Sequence, residues 1–437
     1  VGRGGDDVMN SGGEDDFLIA GDGRDTVLGG DNNDFILAAA KTVAGENEFF
    51  DGGRNFDALS YSKNFNTVRD IKNVTSDQSN ASREALSEIE GGTGPVKIYA
   101  GEGKIEKLDD SGAVVATDTA KNIEQFVGSD EADMIFGAPG SSGQRIDVYG
   151  ANGDDTIYSR GATNVGGGDD NDEIIVEAEP DTGRLSGTQF DGGSGVDTLE
   201  LSGLEDTRWV LRLDGAISRS VRGYDADSET NSSGVSFNAE SIEEFILNDG
   251  DDSIENNAGG SAKRIFRTFD GDDELYHRGG FVTFDAGDGD DIARMIEGSM
   301  VYGGLGDDTI TFDDTGSENE AHGGEGNDTV ILQRTKGMAD GGDGYDTLVF
   351  DLEDTAGNDY GFATVDLEAG TARMVEKRSS NRFENEHINA KLSGFEQVIG
   401  TEFGDTITGS ARDEKLIGRE GNDTIKVKPD AAEFATN

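Results

Sequence analysis

The chain has 437 residues, 36 basic and 91 acidic, for a formal net charge of −55, with 66 glycines, four prolines and no cysteine. The missing thiols exclude a disulfide framework, a thiolate zinc site, an iron–sulfur cluster and a cysteine nucleophile. The charge argues against nucleic acid or anionic lipid as a partner, and no run of about 18 apolar residues offers a membrane-spanning helix.

Only 33% of residues are hydrophobic, and with so much like charge the composition alone reads as disorder. Order in the sequence overrides it. Nothing at the N-terminus resembles a signal peptide. Val1 falls inside a repeating unit, so the chain is read as a piece of a longer protein.

Residues 20–37 read AGDGRDTVL then GGDNNDFIL, two nine-residue units of the form G-G-x-G-x-D-x-U-x with U apolar. Copies recur downstream as GANGDDTIY (150–158), GGDDNDEII (167–175), GGSGVDTLE (192–200), GGLGDDTIT (303–311), GGEGNDTVI (323–331), GGDGYDTLV (341–349) and GREGNDTIK (418–426). With degenerate units included, 18 windows share one register. Their sixth positions hold Asp6, Asp15, Asp25, Asp34, Asp57, Asp133, Asp155, Asp172, Asp197, Asp252, Asp273, Asp291, Asp308, Asp328, Asp346, Asp405 and Asp423, with Glu414 in the remaining window. The eighth position is apolar from Val8 to Ile425.

The spacing has a chemical reason. Glycines at the first, second and fourth places permit positive φ and leave carbonyl oxygens uncovered. The sixth-position carboxylate adds a hard anionic oxygen of the kind Ca²⁺ takes, roughly six to eight of them at about 2.3–2.6 Å. The last three residues form a short strand whose middle side chain points inward. One turn supplies too few oxygens, so an ion belongs between two turns stacked on one side, about 18 residues apart. Windows starting at 268, 286, 303, 323 and 341 have that spacing, which predicts acidic turns on one face and plain turns on the other. At 1–37 and 400–426 the spacing falls to nine or ten, which predicts turns on both faces. Acidic residues at other turn positions, such as Asp22, Asp154 and Asp307, are candidates for ligation or outer support.

Three stretches interrupt the units, each opening on a strand (DALSYS 57–62, DTLELS 197–202, DTLVFD 346–351). Each continues through an alternating segment (VKIYAG 96–101, RWVLRLDG 208–215, FATVDLEAG 362–370), which predicts half-buried strands. Each returns through IEQFVG, IEEFIL or FEQVIG at 123, 242 and 395. Residues 72–90 suggest a loop with one helical turn. The organisation expected is a two-sided roll at 1–60, insertion at 61–127, roll at 128–200, insertion at 201–246, one-sided roll at 247–349, insertion at 350–399, and a final roll and tail at 400–437.

On these units and returns the sequence resembles the RTX (hemolysin-type calcium-binding repeat) proteins, bacterial products usually exported by type I secretion. The resemblance implies an all-β fold, a right-handed parallel β-roll or β-helix solenoid with multiple Ca²⁺ ions between coils, folding outside the cell. It implies that the sixth-position aspartates above are metal ligands, beside the glycine-turn carbonyls. The expected partners are calcium ions, with cell-surface polysaccharide or self-association for a scaffold, and neither nucleic acid nor membrane insertion.

No H-E-x-x-H, G-x-S-x-G or EF-hand loop occurs, and His277, His322 and His387 are too scattered for a cluster. Trp209 reads as packing. The expectation is a non-enzymatic, calcium-dependent extracellular module, structural, adhesive or surface-layer in role. The alternative is the repeat region of a secreted protease, lipase or polysaccharide-modifying enzyme whose catalytic domain lies elsewhere.

Overall fold

The computed structural model describes residues 1–2, 4–38, 43–62, 94–139, 146–177, 188–201, 208–213, 220–225, 236–256, 263–295, 298–351, 359–378 and 384–427. Among them there is strand and turn but no helix, and therefore none long and apolar enough to cross a membrane. The residues form two compact units, Val1–Glu205 with Arg219–Ile246, and Asp206–Ser218 with Leu247–Asn437. Each is a parallel β-roll.

In the first unit, strand Thr26–Asp31 lies parallel between Val8–Gly12 and Phe49–Arg54. Strand Phe35–Leu37 lies parallel between Phe17–Ile19 and Ala58–Ser60. Consecutive strands thus fall in alternate columns, and a strand's partner is its counterpart one coil away. The pattern resumes with Thr156–Tyr158, Glu173–Ile175 and Thr198–Glu200 in one column, and Asp147–Asn152, Asn164–Asp169 and Gln189–Ser194 in the other. The two-residue strand period sends one side chain per short strand inward, and Val27, Ile36, Phe50, Leu59, Ile157 and Ile174 are all fully buried.

The pairing corrects the register at the N-terminus. Val27 pairs with Met9 and Ile36 with Leu18, so the inward residues of the first two units are Met9 and Leu18. Val8, expected inside, is 78% exposed. Ile425, on the last described strand, is 45% exposed.

The first insertion contributes a meander, Val96–Tyr99, Lys104–Leu108 and Val114–Lys121, paired antiparallel in sequence. Its outer strands rejoin the roll in parallel, Val96–Tyr99 with Met134–Phe136 and Val114–Lys121 with Phe49–Arg54. The helical turn read at 72–90 lies outside the described residues.

In the second unit, Ser253–Asn256, Glu274–His277, Ile292–Met295 and the start of Thr309–Gly326 stack in parallel. Lys263–Arg267, Phe281–Asp288 and Ser299–Leu305 form the facing column, whose Phe266, Phe284 and Val301 fill the interior. Among the described residues the turns beside that column carry no acid row. There Ser299 N–H donates to buried Asn319 Oδ1 at 2.8 Å, and Asn319 Nδ2 donates to Thr335 Oγ1 at 2.7 Å. A second meander, Asp359–Asp366, Thr371–Arg378 and Glu384–Ser393, is wired like the first, rejoining through Thr406–Thr408 and Thr329–Gly344. Trp209 is fully buried on strand Trp209–Leu213.

Candidate metal centre

Stacking the turns brings the sixth-position aspartates into rows. In each row the backbone N–H of one Asp donates to Oδ1 of the Asp one coil later. Asp155 donates to Asp172 and Asp172 to Asp197, both at 3.0 Å. In the second unit Asp252, Asp273, Asp291, Asp308, Asp328 and Asp346 form a continuous row at 2.6–2.9 Å. In the first unit the rows begin Asp7 to Asp25 and Asp16 to Asp34, and the latter runs on to Asp57. Asp7 and Asp16, rather than Asp6 and Asp15, therefore hold the sixth position, the same one-residue shift seen in the strands.

A second row runs the other way along the fifth position, on the exposed side. Here the later coil donates: Arg24 N–H to Asp6 Oδ1 at 3.1 Å, Asn33 N–H to Asp15 Oδ1 at 3.0 Å and Asn171 N–H to Asp154 Oδ1 at 3.0 Å. Asp307 accepts from Asn327 N–H at 2.7 Å and donates its own N–H to Asp290 at 2.8 Å. Asp154 and Asp307 thus bind turn to turn at the surface. Asp22 is exposed and takes part through its carbonyl, which accepts Gly5 N–H at 2.8 Å.

The inner rows leave one oxygen over. Oδ2 of Asp25, Asp34, Asp57, Asp155, Asp172, Asp197, Asp252, Asp273, Asp291, Asp308, Asp328 and Asp346 is buried without a hydrogen-bond partner. These side chains are 0–3% exposed. An unsatisfied buried carboxylate oxygen is costly, and twelve in register mark a shared requirement. The first glycines show where those oxygens point. A Cβ on Gly29 would collide with both Asp34 Oδ2 and Gly52 O. On Gly303 it would meet Asp308 Oδ2 and Gly323 O, and on Gly323 it would meet Asp328 Oδ2 and Gly341 O. The missing side chain makes room for a carboxylate from one turn to converge with a carbonyl from the next. The fourth glycines allow the coils to approach: Gly306, at φ +125°, would drive a Cβ into Gly289 O.

This donor set, anionic and carbonyl oxygen without nitrogen or sulfur, fits a hard divalent cation such as Ca²⁺. Among the described residues no three His, Asp or Glu side chains converge, so carbonyls must share the coordination. The electrostatics agree. Burial pushes the carboxyls of Asp172 and Asp308 up to about 8 and that of Asp57 to about 7, with neighbouring carboxylates of the row adding to the rise.

Three turns differ. In those of Asp133, Asp405 and Glu414 the second glycine is replaced by Ser129, Thr401 or Ser410. Asp133 Oδ1 accepts Val96 N–H at 2.7 Å and the Ser129 hydroxyl at 2.9 Å, and its Oδ2 accepts Ser129 N–H. Asp405 is held likewise by Ala363 N–H and by both donors of Thr401, and Glu414 by both donors of Ser410. These acids close their own turns. Asp423, in the last described turn, accepts Asp405 N–H at 2.9 Å.

Two features were not anticipated from the sequence. Glu124, Glu243 and Glu396, in the returns from the insertions, accept the N–H of Asp57, Asp197 and Asp346 through Oε2 at 2.9–3.1 Å, continuing the rows. The recurring Ile-Glu or Phe-Glu was visible, but not its role. The other is a buried cluster in the first unit. Lys107 Nζ lies 2.9 Å from Glu48 Oε2 and 3.2 Å from Asp118 Oδ1, and Tyr61 donates its hydroxyl to Asp118 Oδ2 at 2.8 Å. Glu48 N–H donates to Asp118 Oδ1 at 2.8 Å, the same inter-coil bond as in the aspartate rows. Burial works against the Lys107 ammonium, but Asp118 and Glu48 outweigh it and hold its pKa above the ordinary value. A lysine from the meander thus supplies positive charge beside this row. Of the histidines, buried His277 lies 3.2 Å from Gly280 O through Nε2 and His322 stacks on Tyr302; the His387 side chain is outside the description.

A search of curated proteins finds no match. Family-model comparison matches the RTX calcium-binding nonapeptide repeat in four copies, over residues 1–36 and 393–426. Those stretches include the two-sided turns at both ends, and the intervening coils repeat the same acid rows and glycine cradles. The chain carries RTX calcium-binding nonapeptide repeats arranged as a parallel β-roll.

Proposed function

We propose that this calcium-binding β-roll is a non-enzymatic structural or adhesive module, secreted unfolded and folded by calcium outside the cell, with cell-surface polysaccharide or further copies of itself as partner. The observation that carries the calcium dependence is the set of twelve buried, unpartnered Asp Oδ2 atoms. Bound calcium supplies the positive charge these oxygens lack. The chain's own residues do the rest: the glycines admit the carboxylates, Oδ1 fixes each Asp to the previous turn, and the inward Val, Ile, Leu and Phe close behind. At a net charge of −55, self-repulsion opposes compaction where calcium is scarce and keeps the chain fit for export. Extracellular modules bind calcium at roughly 10⁻⁴–10⁻³ M, so binding and folding become one equilibrium.

The test is circular dichroism and amide hydrogen exchange of the chain, titrated with Ca²⁺ and separately with Mg²⁺. Strand signal and protection rise together with millimolar Ca²⁺ and collapse on chelation. A strand spectrum and exchange pattern indifferent to chelator would refute the reading.

A further inference from the structure

At three places the chain leaves the roll and returns on a turn that is not part of a nonapeptide. From Asp57 to Glu124, Asp197 to Glu243 and Asp346 to Glu396 it spans 67, 46 and 50 residues. Each return is a three-residue turn: Asn122-Ile123-Glu124, Ser241-Ile242-Glu243 and Gly394-Phe395-Glu396. Its first residue is left-handed, with φ of 50°, 54° and 75°. Its middle residue is buried in the core. Its glutamate, one methylene longer than aspartate, accepts the N–H of the Asp left behind. That Asp's carbonyl in turn receives two N–H bonds, from the glutamate and the next residue, at 2.9–3.1 Å. Three insertions of different length share this one geometry.

What the geometry presents is the cradle of an ordinary turn. A Cβ on Gly52 would collide with Asn122 O and Asp57 Oδ2. On Gly192 it would meet Ser241 O and Asp197 Oδ2, and on Gly341 Gly394 O and Asp346 Oδ2. Those three aspartates are fully buried, and each Oδ2 has no hydrogen-bond partner. In a regular pair, such as Gly303 with Asp308 Oδ2 and Gly323 O, the carbonyl comes from the first glycine of the following turn. Here a residue outside any nonapeptide supplies it.

We propose that each return turn completes a Ca²⁺ site with the last glycine turn before its insertion. The carbonyl of Asn122, Ser241 or Gly394 stands in for that of a following repeat's first glycine, and Glu124, Glu243 or Glu396 supplies the next carboxylate of the row. The inference rests on the regular turns being calcium turns. It goes further in tying each insertion to the ion: binding at the seam closes the long loop, whose ends must otherwise meet at an entropic cost.

Calcium stoichiometry of the full chain, by native mass spectrometry and by calorimetric titration, tests this with three proteins. They are the wild type, the combined Glu124→Gln, Glu243→Gln and Glu396→Gln variant, and Asp308→Asn as a regular-turn control. Glutamine keeps the acceptor for the Asp N–H and loses the charge. The expected result is that three sites of the triple variant weaken by about 10–100-fold, while Asp308→Asn loses one. A triple variant that binds as many ions as tightly as wild type, beside a control that loses one, overturns the seam sites alone. A control that also loses none overturns the regular-turn reading first. Should the triple variant not fold, exchange in the wild type decides: Gln125–Val127, Glu244–Ile246 and Gln397–Ile399 gain protection with Ca²⁺, and equal protection in chelator overturns the proposal.

Discussion

Asp308 shows what the sixth position asks of one side chain. Its Oδ1 accepts Asp291 N–H at 2.9 Å, while Oδ2, buried and unpartnered, faces Gly323 O across Gly303. Asp308→Asn keeps the first task and loses the second. The variant is expected to be less stable than wild type in millimolar calcium by denaturant titration, while in chelator, where a buried charge has been removed, its residual strand signal by circular dichroism equals or exceeds that of wild type. Gly323→Ala places a methyl group among Asp328 Oδ2 and Gly341 O, and is expected to abolish one ion per chain in a metal count. The residue type at the sixth position was legible because one acid recurs beside glycines in a fixed register. What the second position does was not. Ser129, Thr401 and Ser410 look like mild departures from glycine, yet their donors satisfy the acid that glycine leaves free. Ser129→Ala, which removes a hydroxyl bonded to buried Asp133, is expected to cost about 1 kcal/mol in unfolding free energy, measurable in calcium.

At the scale of the element, the meanders are where pattern reading reached least far. Alternation at 96–101 and 362–370 identified the first strands, because one side of each faces the core. It could not show that their edges splice into parallel columns, since pairing partners lie far apart in sequence. Nor did it single out Lys107, one basic residue among 36, as the charge set between Glu48 and Asp118 inside the roll. Lys107→Met strands those carboxylates without a counter-charge and is expected to destabilise the first unit by about 3–5 kcal/mol in a denaturant titration in millimolar calcium. The N-terminal register slipped for a related reason. VGRGGDDV and SGGEDDF each offer two adjacent aspartates, and only the pairing of Met9 with Val27 and Leu18 with Ile36 chooses between them.

For the whole molecule, the rows make stability a contest between protons and calcium. Carboxyls that titrate near 4 in an unfolded chain are raised in the fold to about 6 at Asp34, about 7 at Asp57 and about 8 at Asp172 and Asp308. A raised pKa stabilises the fold below the unfolded value and is lost as pH climbs through the folded one. In chelator, strand structure is therefore expected to be greatest near pH 4 and to fall away between about pH 6 and 8. In calcium the trend reverses, because deprotonation creates the ligands. Circular dichroism across pH in both media checks this, and a falling profile in both would contradict it.

Neighbouring coils grip one another in both directions, an inner bond given forward at the sixth position and an outer one given back at the fifth. Neither bond depends on how much chain lies between the residues it joins: 17 from Asp155 to Asp172, 25 from Asp172 to Asp197, 67 from Asp57 to Glu124. The roll behaves like a zip fastener whose teeth are fixed while the tape between them is free in length. Foreign cargo can then be sewn into the tape at such a seam while every tooth keeps its neighbour, a route by which one scaffold acquires new surfaces without refashioning its spine.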